Sequence, residues 1–174
     1  MDYPIEKRAL GYIFEDKVKI NGAKVFFYFE DRAFTYNETN EYANKVANGY
    51  MSLGVRKGDT VTTMLPNCAE AVFNWLGLAK LGAVDSSINP AYKGDLLKHV
   101  ILISNTKVLF IHEEFVDRIV KIQDEINCVE KVIVYSPSGK VPDERMKFPT
   151  IIYDEFVKQS DEFKAPEEVQ YYDC

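Results

Sequence analysis

Cysteine is scarce. Cys68, Cys128 and Cys174 are far apart, odd in number and never in a CxxC pair, which excludes a disulfide framework and a thiolate zinc site and leaves reduced thiols as the expectation. The two histidines, His99 and His112, have no Cys or His neighbour at ligand spacing, so they read as structural or surface residues and no metal is assigned. Positive charge is short as well: 21 Lys plus Arg against 27 Asp plus Glu leave a net charge of −6 and a pI near 5.0. With no basic run to interrupt that balance, a nucleic-acid or anionic-membrane binder is excluded, because phosphates are bound by excess Lys and Arg. Long hydrophobic runs are missing. The longest apolar stretch, 68–81, is broken by Glu70, Asn74 and Lys80, short of the roughly 18 uninterrupted residues of a membrane span. The start of the chain carries Lys7 and Arg8, but its apolar stretch is cut by Gly11, Tyr12, Glu15 and Asp16, unlike a signal peptide. A soluble, cytoplasmic protein is expected.

Glycine motifs for phosphate are also missing. There is no GxGxxG, and the segment from Gly49 to Gly54 lacks the Lys-Ser/Thr of a phosphate loop and reads as a helix stop. No Gly-x-Ser-x-Gly elbow exists. Ser86 and Ser87 read as strand-end hydroxyls without a base, and the acidic pairs Glu113-Glu114, Asp124-Glu125 and Glu167-Glu168 read as solvated charges or helix-dipole partners.

What is present is 174 residues at 47% apolar, one ordinary domain's worth of material able to bury a core without staples. An aromatic run at 25–29, a polar turn and a second run at 33–36 predict a β-hairpin. Asn37 then reads as the cap of a helix whose apolar residues Tyr42, Ala43, Val46, Ala47, Tyr50 and Met51 recur at helical spacing until Gly54. A strand at 61–65 leads to Pro66-Asn67, with Asn67 capping and Glu70 supporting an almost wholly apolar helix over 68–81, packed closely at Gly77 and ended by Gly82. Strands at 84–88, 108–111 and 132–135 alternate with helices at 94–104 and 113–126. Repeated βα units of this kind predict an α/β fold, a mostly parallel sheet flanked by helices. Beyond Tyr135 the pattern loosens into a surface excursion, then a short strand at 151–153, a helical turn at 154–158 and an acidic tail from Glu162.

Pro66-Asn67 and Asn89-Pro90 each follow an apolar strand, which places them at the carboxyl edge of the sheet where ligands bind in open α/β folds. Their alternative reading is turn chemistry. Phe26, Phe27, Tyr28, Phe29 and Tyr36 read as hairpin packing against the neighbouring sheet rather than a lipid patch.

In order along the chain, Phe34-Thr-Tyr-Asn-Glu38, Leu53-Gly-Val-Arg-Lys-Gly-Asp59, Leu65-Pro-Asn67, Trp75-Leu-Gly-Leu-Ala-Lys-Leu-Gly-Ala83 and Ile88-Asn-Pro90 closely resemble the N-terminal portion of the acyl-adenylate-forming enzymes. The look is nearest to the branch holding carnitine-CoA ligase and the fatty-acid transport type of acyl-CoA synthetase. The resemblance runs from about Phe26 to Tyr135 and implies an N-terminal subdomain over 1–174, with its core at 25–135 and a looser part at 136–174. It further implies activation of a fatty or carboxylic acid by ATP, with magnesium, to an acyl-adenylate and pyrophosphate, then transfer to coenzyme A. In the family the Ser/Thr/Gly-rich loop with its Lys, the adenine and ribose motifs and the catalytic lysine come later, and none has a counterpart here. Charge stabilisation on the transferring phosphoryl group needs such parts, so this chain alone is expected to be inactive, without a catalytic or cofactor-binding residue of its own. Pro66, Asn67, Asn89 and Pro90 are the substrate-proximal candidates. An uncovered face or strand edge is expected to drive self-association; a non-catalytic binding or interaction module built on the same fold is the alternative.

Overall fold

The computed structural model describes residues 3–139 and 144–173; residues 140–142 of the expected surface excursion, and Cys174, lie outside them. The chain forms two units, one from the described residues up to Gly58, Cys68–Val84 and Val157 onward, the other from Asp59–Asn67 and Asp85–Phe156.

The first unit holds α1 (Leu10–Asn21), the hairpin β1 (Val25–Phe29) and β2 (Arg32–Thr35), α2 (Tyr36–Ser52) and α3 (Ala69–Leu81). The hairpin turns at Glu30, a non-glycine residue at φ 50°. Its aromatic rings pack on helices and not on a sheet: Phe14 of α1 lies 5.2 Å from Phe26, and Phe73 of α3 lies 5.4 Å from Phe34 and 4.4 Å from Tyr42 of α2. The sequence reading missed α1, whose buried Phe14 shares a core with the half-buried Leu10 and Val18 at four-residue spacing. It also misplaced a cap. Thr35, not Asn37, starts α2: its hydroxyl accepts from the Glu38 N–H at 3.1 Å while the Glu38 carboxylate accepts from the Thr35 N–H at 2.8 Å. That reciprocal pair satisfies two backbone donors where Asn37 offered one.

At its far end α2 stops as expected, with Gly54 at φ 87° and its successor Val55 donating back to the Tyr50 carbonyl. Helices α2 and α3 meet at Gly77, where a side-chain carbon would lie 2.9 Å from the Ala43 carbonyl and 2.7 Å from Val46. Beside it the buried Tyr50 hydroxyl donates to Asn74 Oδ1 at 2.5 Å. Cys68, not Asn67, is the N-cap residue of α3, with no side-chain bond to the helix start.

The second unit is a five-stranded parallel sheet in the order β4-β3-β5-β6-β7, from β3 (Thr60–Met64), β4 (Val84–Ser87), β5 (Thr106–His112), β6 (Lys131–Tyr135) and β7 (Thr150–Ile152). The central strand β5 buries Val108, Leu109, Phe110 and Ile111 almost completely, as a continuous apolar run in a parallel sheet should. Helices α4 (Gly94–Ile103) and α5 (Val116–Ile122) bring Leu97, Ile101, Ile119 and Ile122 against Met64, Leu109, Ile111 and Val132. The helix expected over 113–126 is shorter than its apolar spacing suggested. A tight turn at Glu113–Phe115 precedes α5, and Gln123 beyond its end bonds the main chain of Arg145 and Lys147. A one-turn helix, α6 (Tyr153–Phe156), follows β7. Among the described residues, no helix is long and apolar enough to cross a membrane.

Candidate functional site

Because the five strands of the second unit run parallel, their carboxyl ends share one edge. Pro66 and Asn67 leave neighbouring strand β3 there, Asn89 and Pro90 leave β4, and His112 ends β5. Asn67 and Asn89 are exposed, Pro66 and Pro90 half-buried. All four candidates thus lie at one edge.

The Asn89-Pro90 loop is a built turn. Asn89 Oδ1 accepts from the Ala91 N–H at 2.8 Å and the Asn89 carbonyl from the Tyr92 N–H at 3.0 Å, the Asx geometry that makes asparagine a turn residue. Arg118 of α5 then donates to the Pro90 carbonyl, and to that of Tyr92 at 3.3 Å, while its guanidinium stacks 4.5 Å above Phe115. Ile88 donates to the Thr63 carbonyl at 2.9 Å, carrying the β4–β3 pairing into the loop. The backbone that a ligand would meet at this edge is therefore preformed.

Three further features of the second unit stand out: His112, read from sequence as structural or surface; Asp85, which the sequence reading does not mark; and Glu113, which is not a solvated charge but binds a serine loop. The His112 ring is buried; its Nδ1 accepts from the Glu114 N–H at 3.3 Å, and Tyr135 packs edge-on at 5.7 Å. Asp85 of β4 accepts from the Thr63 hydroxyl at 2.7 Å, and burial pushes its carboxyl pKa up, against the opposing hydrogen bonds from Thr63 and Ser87. Finally, the loop after β6 presents Ser136, Ser138 and Gly139, the last at φ 71°. The Glu113 carboxylate accepts from the Ser136 hydroxyl at 2.5 Å and from the Ser138 hydroxyl at 2.7 Å. For His112 and for the Ser136–Gly139 loop a short sequence signal existed, a polar residue at or just beyond the end of an apolar strand; Asp85, second in β4, carried none.

The Glu113 contact bears on whether the loop could hold phosphate. A cradle needs hydroxyls and N–H groups aimed at an anion, and in the Ser136–Gly139 loop an internal carboxylate already holds those hydroxyls. Nor do three His, Cys, Asp or Glu side chains converge on a cation among the described residues. With its hydroxyls held by Glu113, the Ser136–Gly139 loop does not fit a nucleotide phosphate or its magnesium.

Comparison with known proteins gives the family. The model of the AMP-binding enzyme family matches residues 14–170. This chain belongs to the AMP-binding enzymes. In sequence it is 32% identical over 124 residues to 4-coumarate–CoA ligase 3 of Arabidopsis thaliana, covering 71% of this chain and 21% of that protein. It is 36% identical over 111 residues to crotonobetaine/carnitine–CoA ligase of Salmonella paratyphi A, covering 61% of this chain and 22% of that one. Among solved structures, the anthranilate CoA ligase AuaEII in complex with anthranoyl-AMP superposes with a TM-score of 0.83 at 26% identity, over 99% of this chain and 32% of that chain. Coronafacic acid ligase from Pectobacterium brasiliense, at 18% identity and a TM-score of 0.76 over 90% of this chain and 31% of that one, shares the fold. The chain spans about a fifth of the length of the curated family members it matches, 21% and 22%.

Proposed function

We propose that this chain, 1–174 with its core at 25–135, is the N-terminal subdomain of an ATP-dependent acyl-CoA synthetase of the cytoplasm. The whole enzyme converts a fatty or carboxylic acid, ATP and coenzyme A into acyl-CoA, AMP and pyrophosphate, with magnesium. The carrying observation is the family match over residues 14–170 together with CoA-ligase relatives of which the chain covers about a fifth. Within that enzyme, Pro66-Asn67 and the Arg118-braced Asn89-Pro90 turn present rigid backbone to the bound acid or its tunnel. Donors to the transferring phosphoryl group come from elsewhere in the enzyme, since Glu113 holds Ser136 and Ser138 here. On its own the chain does not activate acids. Its exposed Trp75, Leu96 and Ile103 support self-association in the absence of the rest.

The test is acid-dependent ATP–pyrophosphate exchange. The product of the whole reading frame should exchange with at least one acid from a panel of aryl acids, betaines and fatty acids, and the 174-residue chain with none. Silence of the whole product across the panel would overturn the synthetase reading, and exchange by the short chain would overturn the assignment of its phosphate chemistry elsewhere. That commitment of the Ser136–Gly139 loop to Glu113 favours one second reading, a binding module on the same fold. In that case the whole product stays silent and the short chain is a monomer at high concentration.

A further inference from the structure

After α6 the chain runs without helix or strand from Val157 to Asp173 and packs within the first unit. None of those seventeen side chains is buried, so little hydrophobic free energy holds the segment down. What holds it is a row of donors from α2 and the turn beyond. Asn44 Nδ2 donates to the Asp161 carbonyl at 2.7 Å. One helical turn on, Asn48 Nδ2 donates to the carbonyls of Ser160 at 2.8 Å and Glu162 at 2.9 Å. Lys57 Nζ donates to the Glu168 carbonyl at 2.8 Å and pairs with the Asp173 carboxylate at 2.7 Å.

Four of these five contacts go to main-chain carbonyls, so the clamp reads an extended backbone rather than particular side chains. Asn44 is 7% exposed, and its Oδ1 has no hydrogen-bond partner among the described residues. A buried amide with an unmet acceptor is costly; its occupied half is the half that grips Asp161. The same segment walls an open groove of about 480 Å³ against the end of α2, lined by Asn48, Met51 and Arg56 on one side and by Gln159, Ser160 and Pro166 on the other.

We propose that residues 159–173 form a releasable strap, docked on α2 by an Asn44-Asn48-Lys57 clamp, that opens while the rest of the first unit stays folded and in opening dismantles that groove. The physical basis is the contrast between the polar anchoring of a segment with no buried side chain and the buried contacts of α2 with α3. Segments with few buried contacts open at a free energy well below global unfolding. The inference is independent of the synthetase reading.

Limited trypsin digestion of the 174-residue chain tests it, because Lys158, just before the strap, and Lys164 within it are exposed while Lys80 of α3 is 5% exposed. Cleavage after Lys158 and Lys164 should precede cleavage after Lys80 by at least tenfold. Asn44→Leu with Asn48→Ala should raise the strap cleavage rate a further several-fold at an unchanged Lys80 rate. Lys57→Met, which removes the bond to the Glu168 carbonyl and the pair with Asp173, should do the same for Lys164 by a smaller factor. Strap and Lys80 sites cut at one common rate in wild type, or rising together in the variants through loss of the fold, would show that the segment opens only with the whole unit and would overturn the proposal.

Discussion

A carboxylate raised by desolvation and one lowered by a cationic partner respond to acid in opposite ways, and this chain has both. Burial raises the pKa of Asp85, so the folded state favours its protonated form: its contribution is most favourable below the unfolded carboxylate value and is lost as pH rises through the raised one. Asp85→Asn keeps the acceptor for Thr63 and removes the charge; thermal melts should show a higher Tm at neutral pH, with the gain fading toward pH 3. An equal or lower Tm at pH 7 would show that the ionised form is the better fit. Asp173 behaves inversely. Its pKa is lowered by the hydrogen bond to Lys57, so its contribution to strap docking is present above the unfolded carboxylate value and is lost as pH falls through the lowered one. At the start of α2, Thr35→Ala removes the capping hydroxyl and should cost about 1 kcal/mol, measured by urea unfolding, with Asn37→Ala near zero because Asn37 is not the cap.

Between elements, the closest approach is the decisive one. Gly77 lets α3 lie against the Ala43 carbonyl of α2, and a β-branched residue there has nowhere to go. Gly77→Val should therefore destabilise by about 3 kcal/mol, whereas Gly54→Ala, with open space around it, should lose only the cost of a positive φ, about 1 kcal/mol. Urea midpoints for the two variants read the difference directly. In the second unit, Arg118 connects α5 to the loop after β4 through the carbonyls of Pro90 and Tyr92. Replacing it by Met should leave the sheet intact and speed amide exchange at Ala91 and Tyr92, the two N–H groups of that turn bonded to Asn89. Unchanged exchange there would mean that Asn89 alone holds the turn.

For the molecule as a whole, the family match and the fold agree. The sheet edge carries braced loops next to a Ser/Gly loop whose hydroxyls serve Glu113. Sedimentation of the 174-residue chain over a wide concentration range should show concentration-dependent association through its exposed apolar residues, and a monomer throughout would favour the binding-module reading.

Local rules written in neighbouring residues determined much of this. The alternation of short Val/Ile-rich runs with helical spacing was enough for an α/β fold, the hairpin at 25–36 and the helix ends at Gly54 and Gly82, because hydrophobic period and left-handed glycine act within a few residues. The ordered motifs were enough for the family. Even the Thr35 cap is legible in Thr-Tyr-Asn-Glu, whose first and fourth residues form the capping box. The rest depended on partners distant in the chain. Asn44 and Asn48 look like ordinary polar faces of α2 until residues more than a hundred positions later lie across them. Arg118 reaches a loop 28 residues back, and Glu113 reaches two serines more than twenty residues ahead. A hydrogen bond needs two groups within about 3 Å, and for residues so far apart along the chain only the tertiary structure decides which pairs meet.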